Sequence, residues 1–497
     1  MAKLDLHNQE RNLQVNSIRP LAACLAGALG IGSAASAAMP EQLGRLAVYP
    51  EASSRSAYAA RAQQRARADS ISAPQATTHV VTNCNDSGTG SLRDTVAIAA
   101  SGDTIGLNQL NCSTITLTTG EIQILQNDLT LNGPGPSALQ ISGYESSRVF
   151  SHQGGGTLSI NGLKTKYGSP TTGGGGCIFS TGNVTLNNSI VSSCTDRSYR
   201  ARGGGIYTQA NLSLYGSIVT GNTADALGGS NGFGGGAFVR GNLIARYSTI
   251  DNNVASGGFP IGGGLYALGV TNLHTSSVSG NSAYAGGGVF TADNVSIDRS
   301  TISNNRANQA AGLLAFYAQR ATAVITNSTI SGNSATIQIG GAFVRIPLTL
   351  SNSTIAFNSV ASSQGGAGGL EAYGLTLDLE SSIIANNTTA GDLNDLGGST
   401  HVSSANSLIT HGAVAGETFN DACPRLQPLA DNGGPTFTHA LLHVSPAIDA
   451  GNNAVGLGTD QRGAPRVFAA RADIGAFEYQ GGLDDEIFRS QFENRCQ

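Results

Sequence analysis

Aspartate and glutamate are the residues of this sequence best suited to catalysis, but their spacing does not bring them together in one site. Between residues 173 and 387 they are Asp196, Asp225, Asp251, Asp293, Asp298, Glu371, Asp378 and Glu380. Glycoside hydrolysis needs two carboxylates that face one bond, and eliminative cleavage uses acidic calcium ligands beside a basic residue. The eight acids fall at different positions of the repeat described below. We therefore predict no catalytic residue, no metal ligand and no cofactor.

A second group of chemically capable residues lies near the C-terminus. It comprises Asp431, Asp449, Asp460, Asp473, His439 and His443. Most of these residues stand beside glycine or in turn-like segments, where an aspartate hydrogen-bonds to its own turn. The spacing of the two histidines, without a carboxylate motif, is not that of a zinc protease. We expect these side chains to be structural.

Aromatic residues offer a different chemistry, the binding of a ligand by ring stacking. Five of them each follow an aliphatic residue that should point inward: Tyr207, Phe238, Tyr266, Phe290 and Phe343. Because side chains alternate along a strand, the five rings should point outward in one row. Such a row would bind the apolar faces of sugars or a protein partner. The alternative is that the rings point inward or stack only on one another.

The elements that position these residues come from a repeat of about 28 residues with the pattern Ser-x-(Ile/Val)-x-x-Asn. Its final asparagine recurs at Asn222, Asn253, Asn281, Asn305, Asn333, Asn358 and Asn387, after a first copy that ends in Cys194. Asparagine tolerates left-handed backbone angles in turns, and stacked amides hydrogen-bond to one another. We expect these asparagines to form a turn ladder.

Each repeat also contains three short strands. An alternating strand such as Val184 to Leu186 precedes each serine, and a glycine run with an aliphatic and aromatic pair lies further upstream. A helical solenoid would not tolerate this much glycine, and a propeller needs four strands in about forty residues. The pattern predicts an all-β right-handed parallel β-helix, with a short capping helix at Ser91-Leu92-Arg93-Asp94.

The β-helix prediction places specific residues. One continuous core should contain Ile206, Leu265, Val289, Val219, Ile250, Ile302, Ile330 and Ile355. Residues 224–234 and 255–262 form longer loops, and in repeat folds such insertions gather on a face where ligands often bind. The alternative is that these loops are merely slack turns.

Composition agrees with a turn-rich extracellular protein. The chain has 497 residues, of which 67 are glycine and none is tryptophan. Its formal net charge of -5 gives no electrostatic reason to expect a nucleic-acid partner. No segment after the N-terminus is apolar enough for a transmembrane helix. One elongated repeat array accounts for the length, and we expect the protein to be a monomer.

The N-terminus is predicted to direct export. Basic residues precede an apolar run at residues 21–31, and a small-residue stretch predicts cleavage near Ala37 or Ala38. Six cysteines remain after cleavage: Cys84, Cys112, Cys177, Cys194, Cys423 and Cys496. Pairing in chain order would join them as three local disulfides, although six cysteines allow fifteen connectivities. Their spacing does not resemble a zinc site.

Two motifs resemble known exported bacterial β-helix proteins. Gly90-Ser91-Leu92-Arg93-Asp94 resembles their entrance motif. The later segments Asp431-Asn432-Gly433-Gly434-Pro435-Thr436, Ser445-Pro446-Ala447-Ile448-Asp449-Ala450-Gly451, Thr459-Asp460-Gln461-Arg462-Gly463 and Asp473-Ile474-Gly475-Ala476-Phe477-Glu478 resemble the choice-of-anchor Q domain. The resemblance implies coils similar to pectin-lyase-like folds and polymorphic outer-membrane proteins, followed by a surface-anchoring tail.

These observations divide the chain into a signal peptide (1–38), a spacer (39–78), a capped β-helix (79–425), a closing segment (426–480) and a short tail (481–497). They predict a secreted or cell-surface protein that binds a polysaccharide, a surface glycan or a protein without catalysis. The alternative is a polysaccharide lyase or glycoside hydrolase, because one fold hosts both functions.

Overall fold

The computed structural model describes residues 76–481, except 171, 317–319, 375, 399–400, 413 and 415–418. The predicted signal peptide, most of the spacer, nearly all of the tail and Cys496 lie outside the described residues. The described chain is a right-handed parallel β-helix, as the repeat predicts. Its coils stack three parallel sheets, here named A, B and C, so that each strand pairs with the equivalent strands of the coils before and after it.

Among the described residues, sheet A has thirteen strands and sheet B has twelve, whereas sheet C has eleven. The strands of sheet A are Thr78–Val80, Thr104–Gly106, Leu129–Asn132, Thr157–Asn161, Asn183–Asn187, Leu212–Tyr215, Leu243–Arg246, Thr271–His274, Val295–Asp298, Ala323–Thr326, Leu348–Ser351, Thr376–Glu380 and His401–Ala405. The strands of sheet B are Thr114–Thr116, Gln140–Ser142, Lys164–Lys166, Ile190–Ser192, Ile218–Thr220, Thr249–Asp251, Ser277–Ser279, Thr301–Ser303, Thr329–Ser331, Thr354–Ala356, Ile383–Ala385 and Leu408–Ile409. The strands of sheet C are Ile122–Ile124, Phe150–His152, Ile178–Ser180, Ile206–Thr208, Ala237–Val239, Leu265–Ala267, Val289–Thr291, Leu313–Ala315, Ala342–Val344, Leu370–Ala372 and Leu396–Gly398.

Shorter strands extend some turns between sheets B and C. They are Thr195–Asp196, Thr223–Asp225 and Val254–Ser256, then Arg306–Gln309, Ser334–Gln338, Ser359–Val360, Thr388–Thr389 and Asp392–Leu393. The coils enclose one elongated core that contains all eight aliphatic residues predicted to share it. Because like positions stack in register, each coil buries an apolar row that it could not bury alone.

A short helix, Leu92–Ile98, covers the N-terminal end of this core. Ser91 is its N-cap, and the Ser91 hydroxyl accepts a hydrogen bond from the Asp94 amide at 3.2 Å. Leu92 and Val96 are fully buried, as their helical spacing predicts. At the helix C-terminus, the Gln126 amide donates to the carbonyl oxygens of Val96 and Ala99. The cap therefore satisfies helix ends that would otherwise lack partners.

The seven predicted asparagines form a buried ladder along the turn after sheet B. Each side-chain amide donates to the side-chain oxygen of the next coil, as Asn305 does to Asn333 at 2.9 Å. The same amide also donates to a backbone oxygen of the preceding coil, for Asn305 that of Val278. The backbone N–H of Asn305 donates to the Asn333 oxygen as well. Every hydrogen-bonding position of the amide is thus used, which allows its complete burial.

The prediction that the ladder asparagines adopt left-handed backbone angles was wrong, because these angles occur one residue earlier in the chain. The positive φ belongs to the residue before each ladder asparagine: φ is 62° at Gly221, 54° at Asn252 and 56° at Asn304. The ladder asparagines themselves have ordinary φ. Asparagine occupies the ladder for its amide, whereas the preceding residue makes the turn.

Different residues bond to the two ends of the ladder. At the first end, the side-chain oxygen of Asn222 accepts a hydrogen bond from the backbone N–H of Cys194. Its last amide, Asn387, donates to a carboxylate oxygen of Asp395 at 2.8 Å. The other oxygen of Asp395 accepts from the Thr410 hydroxyl and the His411 amide.

The closing segment lies along the outer face of sheet B. It contains the antiparallel pair Leu426–Ala430 and Thr438–Leu441, and its apolar residues pack on outward residues of the last coils. Gln461 is fully buried, accepts from the Thr329 hydroxyl at 2.6 Å and donates to the Thr301 hydroxyl at 2.8 Å. The segment therefore covers a flank of the C-terminal coils.

Two disulfides follow the local pairing. Cys84 is joined to Cys112, and Cys177 is joined to Cys194. The Cys177–Cys194 bond links sheet C to the first copy of the ladder turn, with the Cα atoms 5.5 Å apart. The third predicted pair includes Cys496, which the structure does not describe.

Candidate binding surfaces

The predicted aromatic face is not open to solvent. The five rings belong to a cluster separate from the interior core, so they point outward as alternation predicts. Tyr207, Phe238, Tyr266, Phe290 and Phe343 are nevertheless only between 1% and 6% exposed. The prediction of an exposed row was therefore wrong, and the rings form a second core.

The loops provide the reason for this burial. Phe233 and Ile261, from the two longer loops, are at most 1% exposed and pack over the row. The Phe233 ring meets Phe238 and Tyr266 edge-on, with centroids 6.3 and 5.5 Å apart. Within the row, Tyr266 and Phe290 stack at 4.4 Å. The rings thus stack on one another, as in the alternative arrangement, beneath a lid of loop residues.

The outer surface of these two loops and of the equivalent turns in the coils before and after them exposes large apolar side chains. Tyr199, Leu227 and Phe259 are 65%, 50% and 46% exposed. Phe259 packs edge-on against the half-buried Tyr284 at 5.2 Å. We name these four residues the loop face. They lie on successive coils, in the region where the longer insertions predicted a binding surface.

Backbone hydrogen bonds between coils hold these loops in place. The Leu227 amide donates to the Ser198 carbonyl at 3.3 Å, and the Gly258 amide donates to the Ser230 carbonyl at 2.7 Å. The Phe259 amide donates to the Asn231 side chain at 2.9 Å. The loop face is therefore presented by ordered backbone rather than by slack turns.

Two of the eight acids between residues 173 and 387, Asp196 and Glu371, are buried. Asp196 accepts hydrogen bonds from Ser198 and from the Arg202 amide, and burial raises its pKa. Glu371 accepts from the Tyr373 hydroxyl at 2.6 Å and from the Ala367 amide, and burial likewise raises its pKa. Each carboxylate is engaged by its own loop or strand.

The remaining coil acids lie at several different positions. Asp225 accepts from Ser256, Asp251 from Asn252, Asp293 from the Asn294 amide and Glu380 from Ser381, whereas Asp378 lies exposed on sheet A. Asp298 alone contacts both a histidine and an arginine. Among the described residues, no three or more histidine, cysteine or acidic side chains are grouped as metal ligands would be.

The aspartates of the closing segment accept hydrogen bonds from backbone amides, some in their own turn and some more than about twenty residues away in the chain. Asp431 accepts from the Gly433 amide and Asp460 from the Arg462 and Ala464 amides. Asp449 accepts from the Ala470 and Arg471 amides. Asp473 accepts from the Asp449 and Tyr479 amides, and burial raises its pKa to about 6. Such contacts are those of structural aspartates.

His439 is likewise engaged in packing. One ring nitrogen lies 2.8 Å from the Ser331 hydroxyl and the other lies 2.7 Å from the Gln427 carbonyl oxygen. The ring is almost fully buried between the closing segment and sheet B. His443 lies in the turn that follows the strand Thr438–Leu441.

Sequence reasoning missed a cluster at the turn between sheets A and B. Arg246, His274 and Asp298 occupy one register on three successive strands of sheet A. Tyr247 and Arg299 follow them in the turn. We name these five residues the polar corner. One sequence signal could have revealed this cluster. The same turn position is occupied by Tyr247, Thr275 and Arg299 in three successive coils, whereas most other coils have asparagine or glycine there.

An open pocket of about 420 Å³ lies near the C-terminal end of the coils. It is lined by residues that include Ser363, Thr389, Asp392, Asn394 and His411. Asp395, whose carboxylate ends the asparagine ladder, directly follows the lining residue Asn394 in the chain. Both of its carboxylate oxygens already accept hydrogen bonds. No helix among the described residues is long and apolar enough to cross a membrane.

Comparisons with known proteins found similarity only to solved structures, at low sequence identity. No family model and no curated protein matches this sequence. A crystal structure of pectate lyase Pel9A is 13% identical, with a TM-score of 0.42, over 81% of this chain and 97% of that one. The A-module of the Azotobacter vinelandii mannuronan C-5 epimerase AlgE6 is 14% identical, with a TM-score of 0.29, over 66% of this chain and 96% of that one. The resemblance to choice-of-anchor Q proteins stays a prediction.

Proposed function

We propose that this protein is a secreted or cell-surface binding module that holds a glycan on the loop face without cleaving it. The observation that carries the proposal is the exposure of Tyr199, Leu227 and Phe259 on successive, hydrogen-bonded loops. Isolated exposed apolar residues are common on protein surfaces, but three on neighbouring loops are typical of an interaction site.

The chemistry of the loop face suits a sugar. Aromatic rings supply a large contact area for the apolar face of a pyranose at a small entropy cost. Because the loops are already ordered, binding loses little backbone conformational entropy. The two disulfides are typical of an oxidising, extracellular compartment, where glycans are abundant ligands.

The arrangement of the acids favours binding over catalysis. A hydrolase needs two carboxylates across one bond, whereas Asp196 and Glu371 are each occupied by local hydrogen bonds on different coils. The remaining coil acids contact different turns and strands. The alternative is a polysaccharide lyase or glycoside hydrolase. A measurement of turnover distinguishes it from a binding module.

The test is a glycan panel scored for both binding and turnover. The triple variant Tyr199→Ser, Leu227→Ser and Phe259→Ser should bind its glycan at least about tenfold more weakly, the loss expected when roughly 1.4 kcal/mol of contact energy is removed. Its circular dichroism should be unchanged because the three side chains are exposed. Val324→Ser, an exposed apolar residue on sheet A, is the matched control.

Three results would contradict the proposal. The first is a panel in which the wild-type protein binds no glycan. The second is a triple variant that binds as well as the wild type. The third is release of unsaturated or reducing sugars that disappears when Asp251, Asp298 or Asp378 is substituted, which would favour the lyase or hydrolase function.

A further inference from the structure

The polar corner concentrates charge in a column that is otherwise neutral over its central coils. On sheet A this register includes Asn132, Asn161 and Asn187 in earlier coils, and their side chains hydrogen-bond to one another. The column then runs through Tyr215, Arg246, His274 and Asp298 before returning to Thr326. At about 4.8 Å per strand, these four residues span roughly 14 Å, which is close to the length of a short oligosaccharide.

The turn beside this column departs from the rule followed by its neighbours. Its left-handed position is Asn188, Gly216, Asn327 and Asn352 in other coils. In three consecutive coils it is instead Tyr247, Thr275 and Arg299, with φ of 51°, 51° and 47°. A tyrosine or a β-branched threonine is strained there.

The side chains of the corner hold one another in a defined arrangement. One nitrogen of His274, Nδ1, lies 2.8 Å from an Asp298 carboxylate oxygen, and the other, Nε2, lies 2.9 Å from the Arg299 guanidinium. A guanidinium can only donate, so Nε2 accepts and Nδ1 carries the proton that it donates to Asp298. These contacts fix the Arg299 guanidinium while its side chain stays one-third exposed.

Two further groups of the corner face solvent. Arg246 is exposed, and no hydrogen bond or ion pair engages its side chain within the described part of the chain. Tyr247 is 64% exposed, and its ring stands edge-on to His274 at 6.1 Å. The corner therefore combines two guanidinium groups, one carboxylate and an open aromatic ring.

We propose that the polar corner binds an anionic sugar ring. Tyr247 packs against the apolar face of the ring, and Arg246 and Arg299 pair with its carboxylate or sulfate group. Guanidinium groups suit both oxyanions because their paired N–H groups match the oxygen geometry. Ser213 and Asn272, on the outer face of the neighbouring register, are placed to hydrogen-bond to sugar hydroxyls. This site is separate from the loop face and does not depend on it.

The experiment uses the full-length protein and three probes that differ in charge: oligogalacturonate, a sulfated galactan oligosaccharide and a neutral galactan oligosaccharide. Calorimetry should show binding of at least one anionic probe, weaker at about 500 mM than at about 50 mM NaCl because salt screens exposed charges. The neutral probe should bind at least about tenfold more weakly than the preferred anionic one, a difference of roughly 1.4 kcal/mol. A preference between the two anionic probes identifies the carboxylate or the sulfate as the group recognised.

Two variants address the site directly. Arg246→Gln removes a guanidinium that makes no hydrogen bond or ion pair within the described residues. It should weaken anionic binding at least about tenfold, which equals roughly 1.4 kcal/mol. Tyr247→Asn removes the ring at a position where asparagine tolerates the backbone, so binding should fall without loss of thermal stability. Arg306→Gln, an exposed arginine elsewhere on the coils, is the matched control.

Unchanged anionic binding by Arg246→Gln overturns the proposal. Equal binding of the charged and neutral probes by the loop-face triple variant, in which the other proposed site is removed, also overturns it. An equal loss in Arg306→Gln would show general charge attraction and would overturn it as well. The loop-face triple variant should retain anionic binding. If that variant loses only neutral-glycan binding, the two proposals stand independently.

Discussion

Glu371 shows how one residue can change the character of a repeated position. It occupies the register that Phe343 fills one coil earlier, so a carboxylate follows directly after the buried aromatic row. Burial raises its pKa, because ionisation in this position loses hydration that two hydrogen bonds only partly replace. Glu371 is consequently harder to ionise in the folded protein than in the unfolded chain.

This shift predicts a pH dependence of stability. Below the unfolded pKa, Glu371 is neutral in both states and its contribution is fully present. As the pH rises through the raised folded pKa, that contribution is lost. Glu371→Gln cannot ionise, so its melting temperature relative to the wild type should rise between about pH 4 and pH 8. Thermal melts across this range test it, with the exposed Glu145→Gln as control, and a difference that falls with pH contradicts it.

The ladder turn shows what residue-level patterns can and cannot predict. The recurring asparagine predicted the stacked amides, which the structure has. Its backbone angle was assigned to the wrong neighbour because doublets such as Asn252-Asn253 do not reveal which residue makes the turn. Gly221, Gly280 and Gly332 carry the missing signal, since each immediately precedes a ladder asparagine and has positive φ.

At the scale of elements, the strands of sheet C serve two cores. Their aliphatic residues fill the interior, whereas their outward rings pack under the longer loops. Alternation along a strand predicts which way a ring points. It does not predict whether a loop from the same coil will cover that ring, because coverage by Phe233 and Ile261 is a tertiary contact.

Removal of one ring from the covered row should therefore destabilise the protein. Phe290 is 1% exposed, and Phe290→Ala should lower the free energy of unfolding by about 3 to 5 kcal/mol, the usual effect of emptying a buried aromatic site. Phe259→Ala, on the exposed side of the same loops, should change it by less than about 1 kcal/mol. Denaturant unfolding of both variants measures the contrast, and similar effects in the two would mean that the row is not a core.

At the scale of the whole molecule, the closing segment packs on coils that lie far from it in the sequence. Gln461 contacts Thr301 and Thr329 and also donates to Thr436 of its own segment. The repeat period predicted the stack of coils, because every copy restates the same three strands. The position of the closing segment could not be predicted in this way, since it contains no copy of the repeat.

The buried amide should be needed to hold this segment on the coils. Gln461→Ala leaves several partners unpaired and should destabilise the attachment by about 1 to 3 kcal/mol. Hydrogen exchange should then accelerate in residues 426–480 while the ladder turns stay protected. The exposed Gln364→Ala is the control, and uniform exchange in both variants would mean that Gln461 is not an attachment point.

The asparagine ladder also constrains how such a protein can evolve in length. An interior amide fits only between two like neighbours, because it both donates to the next coil and accepts from the previous one. Cys194 offers only a backbone N–H at one end, and Asp395 offers a carboxylate without N–H groups at the other. A duplication that carried either end into the middle would break the chain of amides. A duplication that copies ladder coils therefore keeps every amide paired only when it falls between Cys194 and Asp395.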